Sequence, residues 1–178
     1  ASYIPELKNV DPKLYGISIC TIDGTVYCIG DSDTEVAIES ISKVFTLALA
    51  IKKYDKQHIR KHIGSVHSPF AFNSIDATNK SVTHTINPFV NAGAIATTSL
   101  LYDKNHKLFV KKIIDNMSDF AGRNLKISKS IYKSESDTNS HNKSLAYLLK
   151  SYERIYGDVE KSVDVYTAQC SVLVIIND

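Results

Sequence analysis

Apolar and polar side chains alternate over residues 15–22, with isoleucine at 17 and 19, and the alternation resumes over 25–29 after Asp23 and Gly24. Period-two patterning interrupted by an Asp-Gly pair predicts a β-hairpin. From Ser40 to about Tyr54 the spacing becomes helical, and residues 44–51 are apolar almost all round, which predicts a helix at the centre of the molecule. Residues 64–90 carry Gly64, Pro69 and Pro88 without a sustained period and read as loop with short turns. Helical patterns return over 92–102, 107–120, 142–155 and 163 to about 176. They are separated by residues 103–105, a stop at Gly122 and a Ser/Asp/Asn-rich stretch over 134–141. Pro5 suits the first turn of a short helix near the start. One hairpin with a mostly helical remainder indicates an α/β (α+β) fold in a single domain, with no internal repeat.

Composition narrows the function classes. The chain has 178 residues, 43% of them hydrophobic, enough apolar material for one core. Its 21 basic and 19 acidic residues are intermixed and leave a net charge of +2, so no electrostatic footprint for nucleic acid or a membrane surface stands out. No apolar run approaches the roughly 20 residues of a membrane span, and no secretory leader is legible. The three cysteines, Cys20, Cys28 and Cys170, form no CxxC pair and no even disulfide set, which suits a reducing cytoplasm. His58 and His62 share a helical i, i+4 spacing, but the Lys and Arg around them and the lack of an HExxH pattern favour a solvated basic face over a metal site. No cofactor is implied. The sequence ends on an apolar run, 171–176, expected to be a buried element that packs against a continuing segment.

Ser40-Ile-Ser-Lys43 is an SxxK tetrapeptide opening the apolar helix, and the three-residue offset puts Ser40 and Lys43 on one face. A serine hydroxyl becomes a good nucleophile when a neighbour takes its proton, and a lysine can do so once burial lowers its pKa. Taken alone, the tetrapeptide favours a capping serine and a solvated lysine over a catalytic pair. Ser42, two residues further on, points about 160° away from Ser40 around a helix axis.

The surrounding sequence resembles the serine-dependent glutaminases, whose fold is similar to that of β-lactamases and penicillin-binding proteins. Five collinear blocks carry the resemblance: residues 3–7, residues 15–24, Ser40-Ile-Ser-Lys-Val-Phe-Thr-Leu-Ala48, Asn87-Pro-Phe-Val-Asn-Ala-Gly-Ala-Ile95, and Gln169-Cys-Ser171. The Asn87 block is the most specific, because β-lactamases at large do not share it. The resemblance covers nearly the whole chain and places it over the N-terminal two-thirds of such a protein.

That resemblance implies hydrolysis of L-glutamine to L-glutamate and ammonia, with Ser40 as nucleophile, Lys43 as its base and Tyr166 as a further catalytic group. Tyr3, Asn91, Glu135, Asn142 and Tyr166 would join Ser40 in holding the substrate, and the assembly would be a homodimer or homotetramer. The residue types agree, since a zwitterionic amino acid calls for a carboxylate at its ammonium and for amide or hydroxyl donors at its carboxylate. A broader penicillin-recognising hydrolase and a non-catalytic glutaminase-like protein are the alternatives. Three departures stand out, the largest being that the family's last part, with further strands, a second site tyrosine and a backbone N–H of the oxyanion hole, is expected to have no counterpart in these 178 residues. Glu39 precedes Ser40 where the family usually has glutamine; four residues before Lys43, it is expected to pair with the ammonium and weaken the base. In the 64–73 stretch, His67-Ser68-Pro69 replaces the family's Pro-Ser-Gly.

Overall fold

The computed structural model describes residues 3–178. The patterned segment near the start forms the expected hairpin, β1 (Gly16–Cys20) and β2 (Val26–Gly30), with Ile17 opposite Ile29 and Cys20 opposite Val26. Asp23 Oδ1 accepts from Thr25 N at 3.1 Å, and Gly24 takes a φ of 85°, so the turn residues do what their chemistry favours. A second sheet has three antiparallel strands in the order β3-β5-β4, from β3 (Val36–Ala37), β4 (Lys126–Ile127) and β5 (Val172–Val174). Residues 172–174 are thus a strand, where the apolar run had been expected to prolong the last helix. Its pairing partners lie far off in sequence, and no local period encodes them.

Eight α-helices among the described residues build the rest: α1 (Ser42–Lys53), α2 (Lys56–His62), α3 (Asp76–Asn79), α4 (Asn91–Leu100), α5 (His106–Ala121), α6 (Lys129–Thr138), α7 (Ser140–Ser151) and α8 (Val159–Cys170). Several carry legible boundaries. Asp55, Asn105, Ser128 and Asp158 each accept a hydrogen bond from the backbone N–H three residues on, and Gly122 ends α5 at a φ of 66°. Two of these helices, α3 and α6, fall where loop or separator had been expected.

The central helix is α4 rather than α1. Every residue of α4 is buried, and it packs against α1, α7 and α8, whereas Val44 and Ile51 on α1 are half exposed. Small side chains explain the exchange, because Ala, Gly, Thr and Ser let neighbouring backbones come close. A Cβ on Gly93 would stand 1.9 Å from Asn87 O, so nothing larger than glycine fits there without moving the backbone. The hydroxyls of Thr97, Thr98 and Ser99 bond back to carbonyls of the same helix, which leaves them satisfied in the core.

A buried amide ties three of these helices together. Gln169 on α8 accepts from Thr46 Oγ1 of α1 at 2.8 Å and Thr98 Oγ1 of α4 at 3.4 Å, and it donates to Ser42 Oγ at 3.4 Å. Gln169→Ala removes these partners inside a dry core and opens a cavity. Urea unfolding is expected to show a loss of about 2–4 kcal/mol; a loss below about 1 kcal/mol would mean that the network contributes little.

Candidate active site

Ser40 does not open α1. Glu39 sits at a φ of 51°, in the left-handed region, so the helical path breaks there and residues Glu39–Ile41 form a 3-10 turn before α1 begins at Ser42. Ser42 Oγ donates to Glu39 O at 2.6 Å and secures this turn from below. The β3–β5 pairing continues through Ile38 N to Val172 O at 2.9 Å, holding the turn beside the end of α8. Ser40 is left exposed at the surface of a cavity, while Ser42 is fully buried.

That cavity, of about 310 Å³, lies at the small end of the roughly 300–1,000 Å³ range of ligand pockets. Tyr3, Ser40, Asn91, Glu135, Asn142 and Tyr166 all line it, although they come from six different segments. Glu39, Phe72, Asn73, His141 and Cys170 complete much of the wall; of these only Glu39 had been expected at the site, paired with Lys43. Phe72 and Asn73 belong to the aperiodic stretch, in a turn closed by Ser74 N to Ala71 O at 2.9 Å and tied to the rest of the fold by longer-range bonds: Asn91 N donates to Phe72 O at 2.8 Å, and His141 Nε2 meets Asn73 O at 2.5 Å.

Lys43 lies beneath the cavity, 3% exposed. Its Nζ donates to Asn91 Oδ1 at 2.8 Å and to Phe89 O at 3.3 Å, and makes no hydrogen bond with Ser40. Burial lowers the Lys43 pKa from its ordinary value, the change a lysine needs to act as a base. Glu39 does not pair with it. The i, i+4 expectation required residue 39 to be helical, and the left-handed turn aims its side chain elsewhere.

Asn91 is the hub of the site. Its Oδ1 accepts from both Lys43 Nζ and Tyr166 OH, the latter at 3.2 Å, which leaves Nδ2 to donate to Asn142 Oδ1 at 3.0 Å. Burial, helped by nearby Cys170, Glu135 and Glu39, raises the Tyr166 pKa well above its usual value, so the hydroxyl stays a donor. On the facing wall Glu135 accepts from Ser171 Oγ at 3.3 Å. Burial first, and the Glu39 carboxyl second, push the Glu135 pKa up to about 8.

The arrangement offers the exposed Ser40 hydroxyl, a buried amine of lowered pKa, amide and phenol groups, and two carboxyls. Among the described residues no group of three or more His, Cys, Asp or Glu side chains comes together as a metal site, and no helix is long and apolar enough to cross a membrane.

Comparison with known proteins gives the site its context. The family model described as Glutaminase matches residues 1–178. A glutaminase of Colwellia psychrerythraea is 46% identical over 178 residues, covering all of this chain and 57% of that protein. A glutaminase of Mycobacterium ulcerans is 43% identical and is covered to 56%. Among solved structures, a probable glutaminase, ybaS, superposes at a TM-score of 0.95 with 42% identity, over 99% of this chain and 58% of that one. A probable glutaminase from Bacillus subtilis complexed with 6-diazo-5-oxo-L-norleucine superposes at 0.85 with 26% identity, over 98% and 53%. The mixed α/β, β-lactamase-like fold expected from the resemblance is the fold of these structures. Although the chain spans just over half the length of the relatives named above, family model, sequence identity and superposition agree over essentially all of it, and it belongs to the glutaminase family.

Proposed function

We propose that this chain carries the nucleophile side of a glutaminase site, hydrolysing L-glutamine to L-glutamate and ammonia. The observation that carries the reading is the single cavity in which the exposed Ser40 hydroxyl meets Asn91, Glu135, Asn142 and Tyr166 above a buried Lys43. Ser40 Oγ attacks the side-chain amide carbon while its proton passes to the neutral Lys43 amine. A neutral amine can keep both N–H bonds, to Phe89 O and Asn91 Oδ1, and accept that proton on its free lone pair once Ser40 and Lys43 approach each other. The C–N bond then breaks, and the nitrogen takes a proton and leaves as ammonia. Water cleaves the resulting glutamyl ester to release glutamate and restore Ser40.

Tyr166 is a second proton-handling group, because its hydroxyl and the Lys43 amine converge on the same oxygen of Asn91. Glu135 receives the α-ammonium, and Asn91 and Asn142 offer amides to the remaining polar groups of the substrate. Residues 1–178 form one domain, as a continuous core from Ile38 to Val172 supports. The test is ammonia release from L-glutamine by the purified protein, with glutamate formed in equal amount and a chromogenic β-lactam as control. Hydrolysis of the β-lactam without release from glutamine would assign the site to a different amide.

A further inference from the structure

Three segments distant in sequence meet at the cavity, and their hydrogen bonds close on themselves. Asn91 N donates to Phe72 O at 2.8 Å, Asn91 Nδ2 donates to Asn142 Oδ1 at 3.0 Å, and His141 Nε2 donates to Asn73 O at 2.5 Å. Phe72 precedes Asn73 and His141 precedes Asn142, so the three bonds make a circuit through the aperiodic loop, the start of α4 and the start of α7.

The circuit has a direction. Lys43 Nζ donates to Asn91 Oδ1, so the other end of that amide, Nδ2, is the donor to Asn142. Asn142 therefore turns its oxygen to Asn91 and keeps the hydrogens of its own Nδ2, which no group among the described residues accepts, for an occupant of the cavity it lines. A carboxylate is a strong acceptor for them.

Little else holds the ends of this circuit. Asn139, which precedes α7, makes no side-chain capping bond, so the turn carrying Asn142 begins without the usual anchor. Residues 71–74 are closed locally by Ser74 N to Ala71 O, and from outside the loop they are bonded only to Asn91 N and His141 Nε2 among the described residues. The first of these is main chain. His141 is thus the one side chain whose loss opens the circuit while leaving Asn91 and Asn142 in place.

Resting on the glutaminase reading above, we propose that His141 is a positioning residue for substrate binding: its bond to Asn73 O locks the start of α7 to the Phe72–Asn73 wall and aims the Asn142 amide nitrogen at the α-carboxylate of glutamine. His141 makes no hydrogen bond with Ser40 or Lys43, so its effect belongs to KM rather than kcat.

The experiment is steady-state ammonia release from L-glutamine by the purified protein and its variants. His141→Ala should raise KM about three- to tenfold, the range for one lost neutral hydrogen bond, with kcat within about twofold of the parent. His141→Gln puts an amide nitrogen where Nε2 stands and should recover most of that loss. His141→Asn, whose amide nitrogen takes the place of Nδ1, should not. Asn142→Ala should raise KM in its own right, and adding His141→Ala to it should cost nothing further, because both act through one contact. With 4-aminobutanamide, which is glutamine without its α-carboxylate, parent and His141→Ala should have the same KM. An unchanged KM in His141→Ala, a loss confined to kcat, no recovery in His141→Gln, additive losses with Asn142→Ala, or the same penalty on 4-aminobutanamide would each overturn the positioning role while leaving Ser40-dependent ammonia release intact. No Ser40-dependent release from the parent would overturn the glutaminase reading and this role with it.

Discussion

Ser40→Ala is expected to lower ammonia release from glutamine by about 10⁴-fold or more, the scale on which serine hydrolases lose rate when the nucleophile is removed. The effect should fall on kcat and leave glutamine binding close to that of the parent, because the carboxyl and amide groups of the pocket are untouched. Ser42→Ala provides the contrast. Its hydroxyl is fully buried and spent on Glu39 O and Gln169, so its loss should reduce stability and leave the chemistry of a folded enzyme largely in place. The reverse pattern, with Ser42→Ala inert and Ser40→Ala active, would place the nucleophile on the wrong serine of the tetrapeptide.

Lys43→Met should cost about 10²–10⁴-fold in kcat, the range for loss of a positioned general base. Methionine is close in length and keeps the buried volume filled, so the variant separates chemistry from packing. A pH signature accompanies it. The base acts in its neutral form, so kcat in the parent should rise as pH climbs through the Lys43 pKa, which burial has moved down from the ordinary lysine value. Lys43→Met should lack that rising limb. A variant that keeps kcat within tenfold of the parent and retains the limb would remove Lys43 from the proton transfer.

Parts of this architecture were legible in the sequence because they depend on local chemistry. The hairpin rested on alternation and an Asp-Gly turn, and α5 on a clear apolar stripe ended by Gly122. Helix α6 was not legible. Over Lys129–Thr138 its buried face consists of only Ile131 and Glu135, and the rest is rich in Ser, Asp and Thr, which are weak helix formers. Its position depends on tertiary anchors such as Glu6 N to Ser134 Oγ at 3.1 Å, 128 residues apart.

The proposed site divides in the same way. Ser40 and Lys43 lie in a tetrapeptide whose residue types suggest chemistry, and the family resemblance nominated Tyr3, Asn91, Glu135, Asn142 and Tyr166. What the sequence could not supply was geometry. Helical spacing placed Ser40 and Glu39 on the face of Lys43, but one left-handed residue ended that register and left Glu39 on the cavity wall without a bond to Lys43. The walls formed by Phe72, Asn73 and His141 follow from contacts across 68 residues or from backbone bonds in an aperiodic loop, and no period encodes either.

The most direct measurement is peptide mapping by mass spectrometry after exposing the protein to 6-diazo-5-oxo-L-norleucine, which presents a reactive diazoketone where glutamine presents its amide. The expected result is one covalent adduct on the Ser40 hydroxyl, suppressed by excess glutamate and absent from Ser40→Ala. An adduct on Ser42 or Cys170 instead, or full ammonia release from a protein in which Ser40 stays unmodified by the reagent, would contradict a Ser40 acyl-enzyme.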